Sequence, residues 1–252
     1  MYFPMRKSTL VRNAYCALAI AAVVCITASA WAGETVLYSF PGGANGAFPT
    51  GILAMDSSGN LYGATNQGGV HGNCAAGFCG IVFELSPNAG GSWTETVLYT
   101  FQGTTDGGGV ILGAGDTIFG TTGYGGSAGA GNVWQLSYSG SGWTVSVLYD
   151  FQGATDGTFP SSTLIFGAHT DLYGATGEGG NTKDCNGVGC GTIFHLSRSG
   201  STWSKKTLFR FNETDGKEPV NSGLIKDSAG NLYGITGGGG SSGDGVVFQF
   251  TP

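Results

Sequence analysis

The stretch Val36-Leu37-Tyr38-Ser39-Phe40 decides the fold, because the chain contains this strand-like sequence four times. The other copies occupy residues 97–101, 147–151 and 207–211, at intervals of 61, 50 and 60 residues, and each ends on Phe. Repeats of about fifty to sixty residues are typical of solenoids and propellers. The repeat therefore predicts the architecture before any single residue is considered.

Two further markers recur in register with the first. The marker Leu61-Tyr62-Gly63 returns at residues 118–120, 172–174 and 232–234, and the marker Val82-Phe83-Glu84-Leu85 returns at residues 133–136, 193–196 and 247–250. Together the markers predict four strands per copy, with A near 51–55, B near 61–65, C near 81–85 and D near 93–101. Alternation places Val97, Tyr99 and Phe101 on one face of strand D. Four antiparallel strands per repeat are typical of a propeller blade.

The phase of the repeats predicts a closed ring. Residues 34–40 form a lone leading D strand, and the chain ends after strands A, B and C of a fourth copy. We therefore predict an all-β fold, a four-bladed β-propeller in which the N-terminal strand closes the last blade. The blades are expected at approximately 51–101, 108–151, 160–211 and 222–252, the last completed by 34–40. A parallel β-helix is the alternative, but its shorter coils do not fit this period.

The N-terminus resembles a secretory signal peptide. Arg6, Lys7 and Arg12 precede an uncharged, mostly apolar stretch over residues 14–27, and Ala30-Trp31-Ala32 has the small residues of a cleavage site. We expect residues 1–32 to be the signal and 33–252 a single propeller domain of an exported protein that is secreted, periplasmic or on the cell surface. An uncleaved membrane anchor is the alternative. No later stretch is apolar for the eighteen residues that a membrane helix needs.

The charge of the chain argues against nucleic acid as a partner. Without the signal, seven Lys and Arg oppose sixteen Asp and Glu, a formal charge of −9, and no Lys or Arg occurs between Asn13 and Thr182. Affinity for nucleic acid depends largely on cations that neutralise phosphates. The 49 glycines cluster between short aromatic and β-branched runs, which is turn placement in an all-β protein.

The repeat resembles a known family. The sequence Asp56-x-x-Gly59-Asn60-Leu61-Tyr62-Gly63-x-Thr65, followed by Gly68-Gly69 and by Gly80-Ile81-Val82-Phe83, is similar to the GloVer tandem-repeat family of secreted bacterial proteins. Thr65 recurs as Thr122, Thr176 and Thr236, so the resemblance covers nearly all of the mature chain. It implies an extracellular repeat protein, often joined to a surface anchor, and it implies no enzymatic activity.

The loops between strands D and A carry the first candidate site. Asn45, Asp106, Asp156 and Asp215 occupy equivalent positions in these loops, which emerge on the same face as the B-to-C loops. Their oxygens are ligands suited to Ca²⁺ or to a polar ligand. The alternative is that Asp-Gly and Asn-Gly simply form turns. No other cofactor is expected.

The B-to-C loops vary from blade to blade, as binding loops do. Tyr124 is specific to the loop of the second blade and is the best ligand-contact candidate there. Cys74 and Cys79 in the first blade, and Cys185 and Cys190 in the third, are each separated by four residues. In an exported chain, equivalent loop positions favour the local disulfides 74–79 and 185–190 over the other connectivities. We predict no zinc site.

The recurring aromatic residues are interpreted as packing between blades rather than as a ligand platform. This set comprises Tyr62, Phe119, Tyr173, Tyr233, Trp93, Trp143 and Trp203. We therefore predict an exported non-catalytic module for binding or structure, whose ligand is a glycan, an envelope component or a protein. The alternative is a secreted polysaccharide hydrolase or lyase that uses loop carboxylates such as Asp106 and Asp156.

Overall fold

Four antiparallel sheets follow one another along the chain in a computed structural model. The structure describes residues 33–70, 79–102, 107–219 and 223–252, and residues 36–252 form one compact unit. The predicted signal over residues 1–32 lies outside the described residues. We number the blades in chain order and keep the letters A to D for the strands of each blade.

Each of the first three sheets has four strands in sequential order, and the fourth has three. The blades are β1 (Ala47–Met55), β2 (Leu61–Gln67), β3 (Ile81–Pro87) and β4 (Trp93–Thr100); β5 (Val110–Leu112), β6 (Thr117–Thr122), β7 (Asn132–Tyr138) and β8 (Trp143–Asp150); β9 (Ile165–Phe166), β10 (Leu172–Thr176), β11 (Thr192–Ser199) and β12 (Thr202–Arg210); and β13 (Ile225–Lys226), β14 (Leu232–Ile235) and β15 (Val247–Phe250). Short 3-10 turns lie at Gly43–Asn45, Ala154–Asp156 and Cys185–Gly187. In the described part of the chain, no helix is long and apolar enough to cross a membrane.

The A strands of successive blades approach one another most closely. A side chain on Gly51 would collide with the backbone of Gly109, and one on Gly109 would collide with Thr163. The A strands therefore lie nearest the common axis, and the D strands lie outermost. This arrangement confirms the prediction of a four-bladed β-propeller.

Aromatic rings join each blade to the next. The Phe that ends each repeat packs edge-on against the aromatic residue of strand C in the following blade. The ring centroids are 5.0 Å apart for Phe40–Phe83, 5.4 Å for Phe101–Trp134, 5.2 Å for Phe151–Phe194 and 5.0 Å for Phe211–Phe248. Burying one such ring stabilises the fold by about 1.5–3 kcal/mol. The glycine of strand B makes room for these rings, since a Cβ on Gly174 would lie 2.4 Å from the ring of Phe194.

The leading segment packs against blade 1 but does not form the predicted ladder with the last blade. Tyr38 and Phe40 contact blade 1 through Phe83 and its neighbours, as Tyr99 and Phe101 contact blade 2. Residues 33–40 nevertheless have no strand structure, and the sheet of β13, β14 and β15 has no fourth strand among the described residues. The aromatic contacts of this segment with blade 1 are therefore formed without backbone pairing to β15.

A bulge in each of the first three blades corrects the predicted alternation in strand D. Val82 pairs with Tyr99, but Phe83 pairs with Val97, so Leu98 is the extra residue. Leu98 is buried, whereas Val97 is 36% exposed. The same register shift occurs between β7 and β8 and between β11 and β12. Tyr99 and Phe101 still share a face, with ring centroids 5.4 Å apart.

The recurring Thr of strand B has a structural role. The hydroxyl of Thr65 donates to the carbonyl of Gln67 at 2.8 Å and accepts from the backbone N–H of Ile81 at 3.0 Å. Thr176 and Thr236 make the equivalent pair of bonds in their own blades. These bonds fix the two ends of the B-to-C loop, which explains why loops of different length start from the same geometry.

Candidate functional site

The predicted loop residues are held by hydrogen bonds near the outer strands. The amide of Asn45 donates to Glu95 Oε2 at 2.5 Å, and the hydroxyl of Tyr38 donates to the same oxygen at 2.7 Å. Asp215 accepts from the backbone and the amide of Asn212 at 2.7 and 2.6 Å. Asp106 lies outside the described residues. Calcium binding by these loops stays a hypothesis beside the turn alternative, and the described residues contain no group of three or more His, Cys, Asp or Glu side chains arranged to hold a metal.

Asp156 is part of a buried ion pair between blades 2 and 3. Its Oδ1 lies 2.7 Å from Nζ of Lys205, whose side chain is 2% exposed, and it accepts a hydrogen bond from the hydroxyl of Tyr149 at 2.9 Å. Burial raises the pKa of Asp156, but the bonds from Lys205 and from the Gln152 backbone outweigh it and lower the pKa overall. Burial lowers the pKa of Lys205 despite its carboxylate partner. Asp156 is thus an ionised structural group.

Tyr124 stacks at the loop face that the sequence predicted. Its side chain is 52% exposed, and its ring lies edge-on to Phe159 with the centroids 5.0 Å apart. Phe159 comes from the D-to-A loop of the next blade and has a φ of 62°, a conformation that is rare for a bulky side chain. The two loop types therefore meet on one face, as predicted, and form an aromatic pair there.

The third blade contains the predicted disulfide between Cys185 and Cys190. It closes a loop whose backbone is otherwise held by bonds such as Gly189 N–H to the carbonyl of Asp184 at 3.2 Å. In the first blade, Cys79 is fully buried and disulfide-bonded, and Cys74 lies outside the described residues. The 74–79 pairing stays a prediction.

A cleft of about 560 Å³ between blades 1 and 2 is the best-formed candidate site. Its floor is apolar and includes Leu98, Leu112 and Ile118. Its edge carries carboxylates and aromatic rings, which are Asp56, Tyr62 and Glu84 from blade 1 and Asp116, Tyr138 and Trp143 from blade 2. A concave apolar site with a few polar groups at its edge, in the range of 300–1,000 Å³, is typical of small-ligand sites.

The aromatic edge of the cleft is a pair of rings on one hairpin. Tyr138 ends β7, Trp143 begins β8, and their ring centroids are 5.4 Å apart at an angle of 51°. Tyr138 is 45% exposed. Trp143 is half-buried and packs on the apolar cluster at this junction, so the pair presents the exposed ring of Tyr138 and part of the ring of Trp143 beside an open cavity.

The three carboxylates of the cleft differ in how many hydrogen bonds they accept from the protein. Asp56 accepts hydrogen bonds from Ser58, Asn60 and Tyr62 at 2.8–3.2 Å. Partial desolvation raises the pKa of Asp56, but the bonds from Asn60 and its neighbours outweigh it and lower the pKa. Burial, then the charges of Glu84 and Asp56, raise the pKa of Tyr62 to about 12. Tyr62 is therefore a protonated donor.

The other two carboxylates have oxygens that are not saturated. Glu84 accepts one hydrogen bond, from Ser86 Oγ at 2.7 Å. The carboxylate of Asp116 is exposed and has no hydrogen-bond partner in the described part of the chain. Glu84 and Asp116 therefore have lone pairs with which to accept hydrogen bonds from a ligand.

The cleft is open because two repeated positions carry different side chains here. Leu112 pairs with Ile118 as Phe166 pairs with Leu172 in the next blade. At the junction of blades 2 and 3, Phe166 packs against Phe119 with the centroids 5.6 Å apart. At the junction of blades 1 and 2, the corresponding side chains are Leu112 and Tyr62, and the space between the blades remains open.

Sequence reasoning did not find this cleft. Tyr62 and Trp143 were assigned to packing between blades, which is part of their role, since both contact the apolar cluster at this junction. Asp116 and Tyr138 were not singled out. The signal was the departure from the repeat, because Tyr138 stands where blades 1 and 3 have Pro87 and Arg198.

A comparison with protein-family models shows the family of the chain, and two solved structures are distantly similar to it. No curated protein matches the chain. A protein of unknown function from Dyadobacter fermentans is 14% identical with a TM-score of 0.47, over 75% of this chain and 61% of that one. A proposed gluconolactonase is 16% identical with a TM-score of 0.45, over 79% and 63%. The chain thus spans less than two thirds of each solved protein. Residues 75–252 match the Gloeobacter/Verrucomicrobia repeat, and the chain belongs to that family.

Proposed function

We propose that the chain is an exported, non-catalytic binding module that holds a glycan in the cleft between blades 1 and 2. The observation that carries this proposal is the ring pair of exposed Tyr138 and half-buried Trp143 beside an apolar floor and free carboxylate oxygens. A sugar ring has apolar C–H faces and polar hydroxyls at its edge. Aromatic rings match the faces, and carboxylates accept hydrogen bonds from the hydroxyls.

Two of the loop carboxylates that the hydrolase alternative could use accept structural hydrogen bonds, and the third, Asp106, lies outside the described residues. Asp156 is paired with Lys205 and Tyr149, and Asp215 is bonded to its own loop through Asn212. Glycoside hydrolysis needs one carboxyl group that holds a proton until the leaving group takes it. The lowered pKa of Asp156 is the opposite of that requirement. These contacts favour the binding module.

Two features support export. Residues 1–32 have the sequence of a secretory signal. The disulfide between Cys185 and Cys190 is a bond that persists in oxidising compartments. The destination after export is open to the secreted, periplasmic and cell-surface alternatives.

The loop face is the second candidate location for a ligand. The pair of exposed Tyr124 and half-buried Phe159 favours it, because this pair also offers aromatic area at the meeting point of two variable loops. The cleft combines its aromatic rings with an apolar floor of Leu98, Leu112 and Ile118. The cleft is therefore our first choice.

Affinity electrophoresis through polysaccharide gels tests the proposal. We expect retardation by at least one polysaccharide, abolished in Trp143→Ala and kept in Trp203→Ala, the equivalent residue of blade 3. Loss of retardation in Tyr124→Ala alone would move the site to the loop face. Free migration in every gel, or turnover of a polysaccharide by the purified protein, would overturn the proposal. Parallel gels with calcium and with a chelator test the predicted loop calcium.

A further inference from the structure

The charges of the chain are divided unequally between its two halves. Residues 33–182 contain ten Asp and Glu and no Lys or Arg, whereas residues 183–252 contain six Asp and Glu and seven Lys and Arg. Every residue that lines the cleft belongs to the first half. Any ligand in the cleft therefore meets a negative potential that no neighbouring Lys or Arg side chain of blades 1 and 2 offsets.

The corresponding surface of blade 3 carries the cation of Lys206, and His195 there contacts Asp171 at 2.8 Å. Glu84 pairs across the sheet with Thr96, and the equivalent cross-strand pair in blade 3 is His195 with Lys206. The negative charge of the cleft is thus a property of this junction and is not imposed by the repeat. It coincides with a cleft that combines an aromatic edge and an open apolar floor.

We propose that the cleft selects glycans that carry free amines, such as oligomers of 2-amino-2-deoxy sugars. This inference rests on the proposed function and names the ligand class of the same site. A protonated amine on the sugar would pair with Glu84 and Asp116, whose oxygens have unused lone pairs. The apolar face of the same ring would lie on Tyr138 and Trp143. An N-acetylated sugar keeps the ring face and loses the charge.

Titration calorimetry with two matched tetramers tests this inference, using the full mature protein. The tetramer of glucosamine, at a pH where its amines are protonated, should bind at least tenfold more tightly than the tetramer of N-acetylglucosamine. The advantage should fall below about threefold in 1 M salt, where the screening length shrinks to about 3 Å. Asp116→Asn should weaken binding of the amine tetramer about threefold, in the range of a partly exposed ion pair. It should weaken the acetylated tetramer less, because the amide oxygen of Asn still accepts hydrogen bonds from sugar hydroxyls.

Asp244→Asn is the matched control, because Asp244 is an exposed carboxylate in blade 4 and the net charge changes equally. If Asp244→Asn weakens the amine tetramer as much as Asp116→Asn does, only net charge acts and the inference is wrong. Equal affinity for both tetramers overturns the amine preference and leaves the glycan module standing. If neither tetramer binds, the amine preference is wrong. If the protein also migrates freely in every polysaccharide gel, the proposed function is wrong as well. Tight binding of a Lys-rich peptide in place of both sugars would point to a protein partner and contradict both.

Discussion

Equivalent strands form the junction between blades 1 and 2 and the junction between blades 2 and 3, in the same register. The first junction is open, and the second is filled. At the filled junction Phe166 packs on Phe119. At the open one Leu112 faces a cleft whose edge includes Tyr62. The difference teaches that the repeat determines the scaffold, while departures from the repeat create a site.

Opening the filled junction should give the largest effect. Phe166→Ala should destabilise the protein by about 3 kcal/mol, because it removes a ring packed between two blades. Leu112→Ala should cost about 1 kcal/mol, since Leu112 already faces open space. Urea unfolding of both variants measures the difference. Equal losses would mean that the two junctions are packed alike and would contradict the comparison.

Separating the ion pair at the filled junction should have the next largest effect. Asp156→Asn should cost about 2 kcal/mol, because it leaves the buried amine of Lys205 without its charged partner. The double variant Asp156→Asn with Lys205→Met should recover most of that loss. A double-mutant cycle by urea unfolding gives the coupling. Additive losses would show that the pair has no structural importance.

The same lysine gives a pH dependence with a defined sign. Burial lowers the pKa of Lys205 in the folded state, so the unfolded chain binds more protons between that value and about 10.4. The contribution of Lys205 to the free energy of unfolding therefore increases as the pH rises through that window. In urea unfolding measured across alkaline pH, Lys205→Met should remove this rise in the free energy of unfolding. The control variant Lys206→Met changes an exposed lysine and should keep it.

Closing the open junction should affect binding more than folding. Leu112→Phe copies the side chain of the filled junction and should reduce glycan affinity at least tenfold, or about 1.4 kcal/mol. Its free energy of unfolding should stay within about 1 kcal/mol of the wild type, because the new ring enters existing space. Calorimetry and urea unfolding on one sample separate the two effects. Unchanged affinity would place the ligand elsewhere.

The scaffold could be predicted from the sequence because it depends on features that recur. The markers around Tyr62, Phe83 and Phe101 appear four times, so their strand order and packing follow from repetition. The cleft could not be predicted in this way, because it depends on Leu112 being smaller than Phe166 and on Tyr138 replacing Pro87. Such single departures carry no periodic signal. The phase of the repeats alone predicts the pairing of residues 34–40 with β15, whereas the structure shows this segment in contact with blade 1 through Tyr38 and Phe40.

The smallest expected effect concerns Asp56, one of the three carboxylates at the edge of the cleft. Hydrogen bonds lower the folded pKa of Asp56 below its usual value of about 3.9, so this group adds stability that is present above that pH and is lost as the pH falls through the folded pKa. Asp56→Asn should therefore lower the melting temperature at pH 7 and converge with the wild type in strong acid. Asp116→Asn, which removes no described hydrogen bond, should follow the wild type at every pH. If the melting temperatures of Asp56→Asn and the wild type differ by the same amount at every pH, Asp56 does not have a lowered pKa in the folded state.

The most direct test of the binding site is an NMR titration of the tryptophan indole N–H signals with a glycan that retards the protein in gels. Trp143 lines the cleft, Trp203 is its counterpart in blade 3, and Trp134 is buried. Single Trp→Phe variants assign the signals. We predict that the signal of Trp143 shifts with saturation while those of Trp203 and Trp134 stay in place. A saturable shift at Trp203, with Trp143 unmoved, would contradict the account.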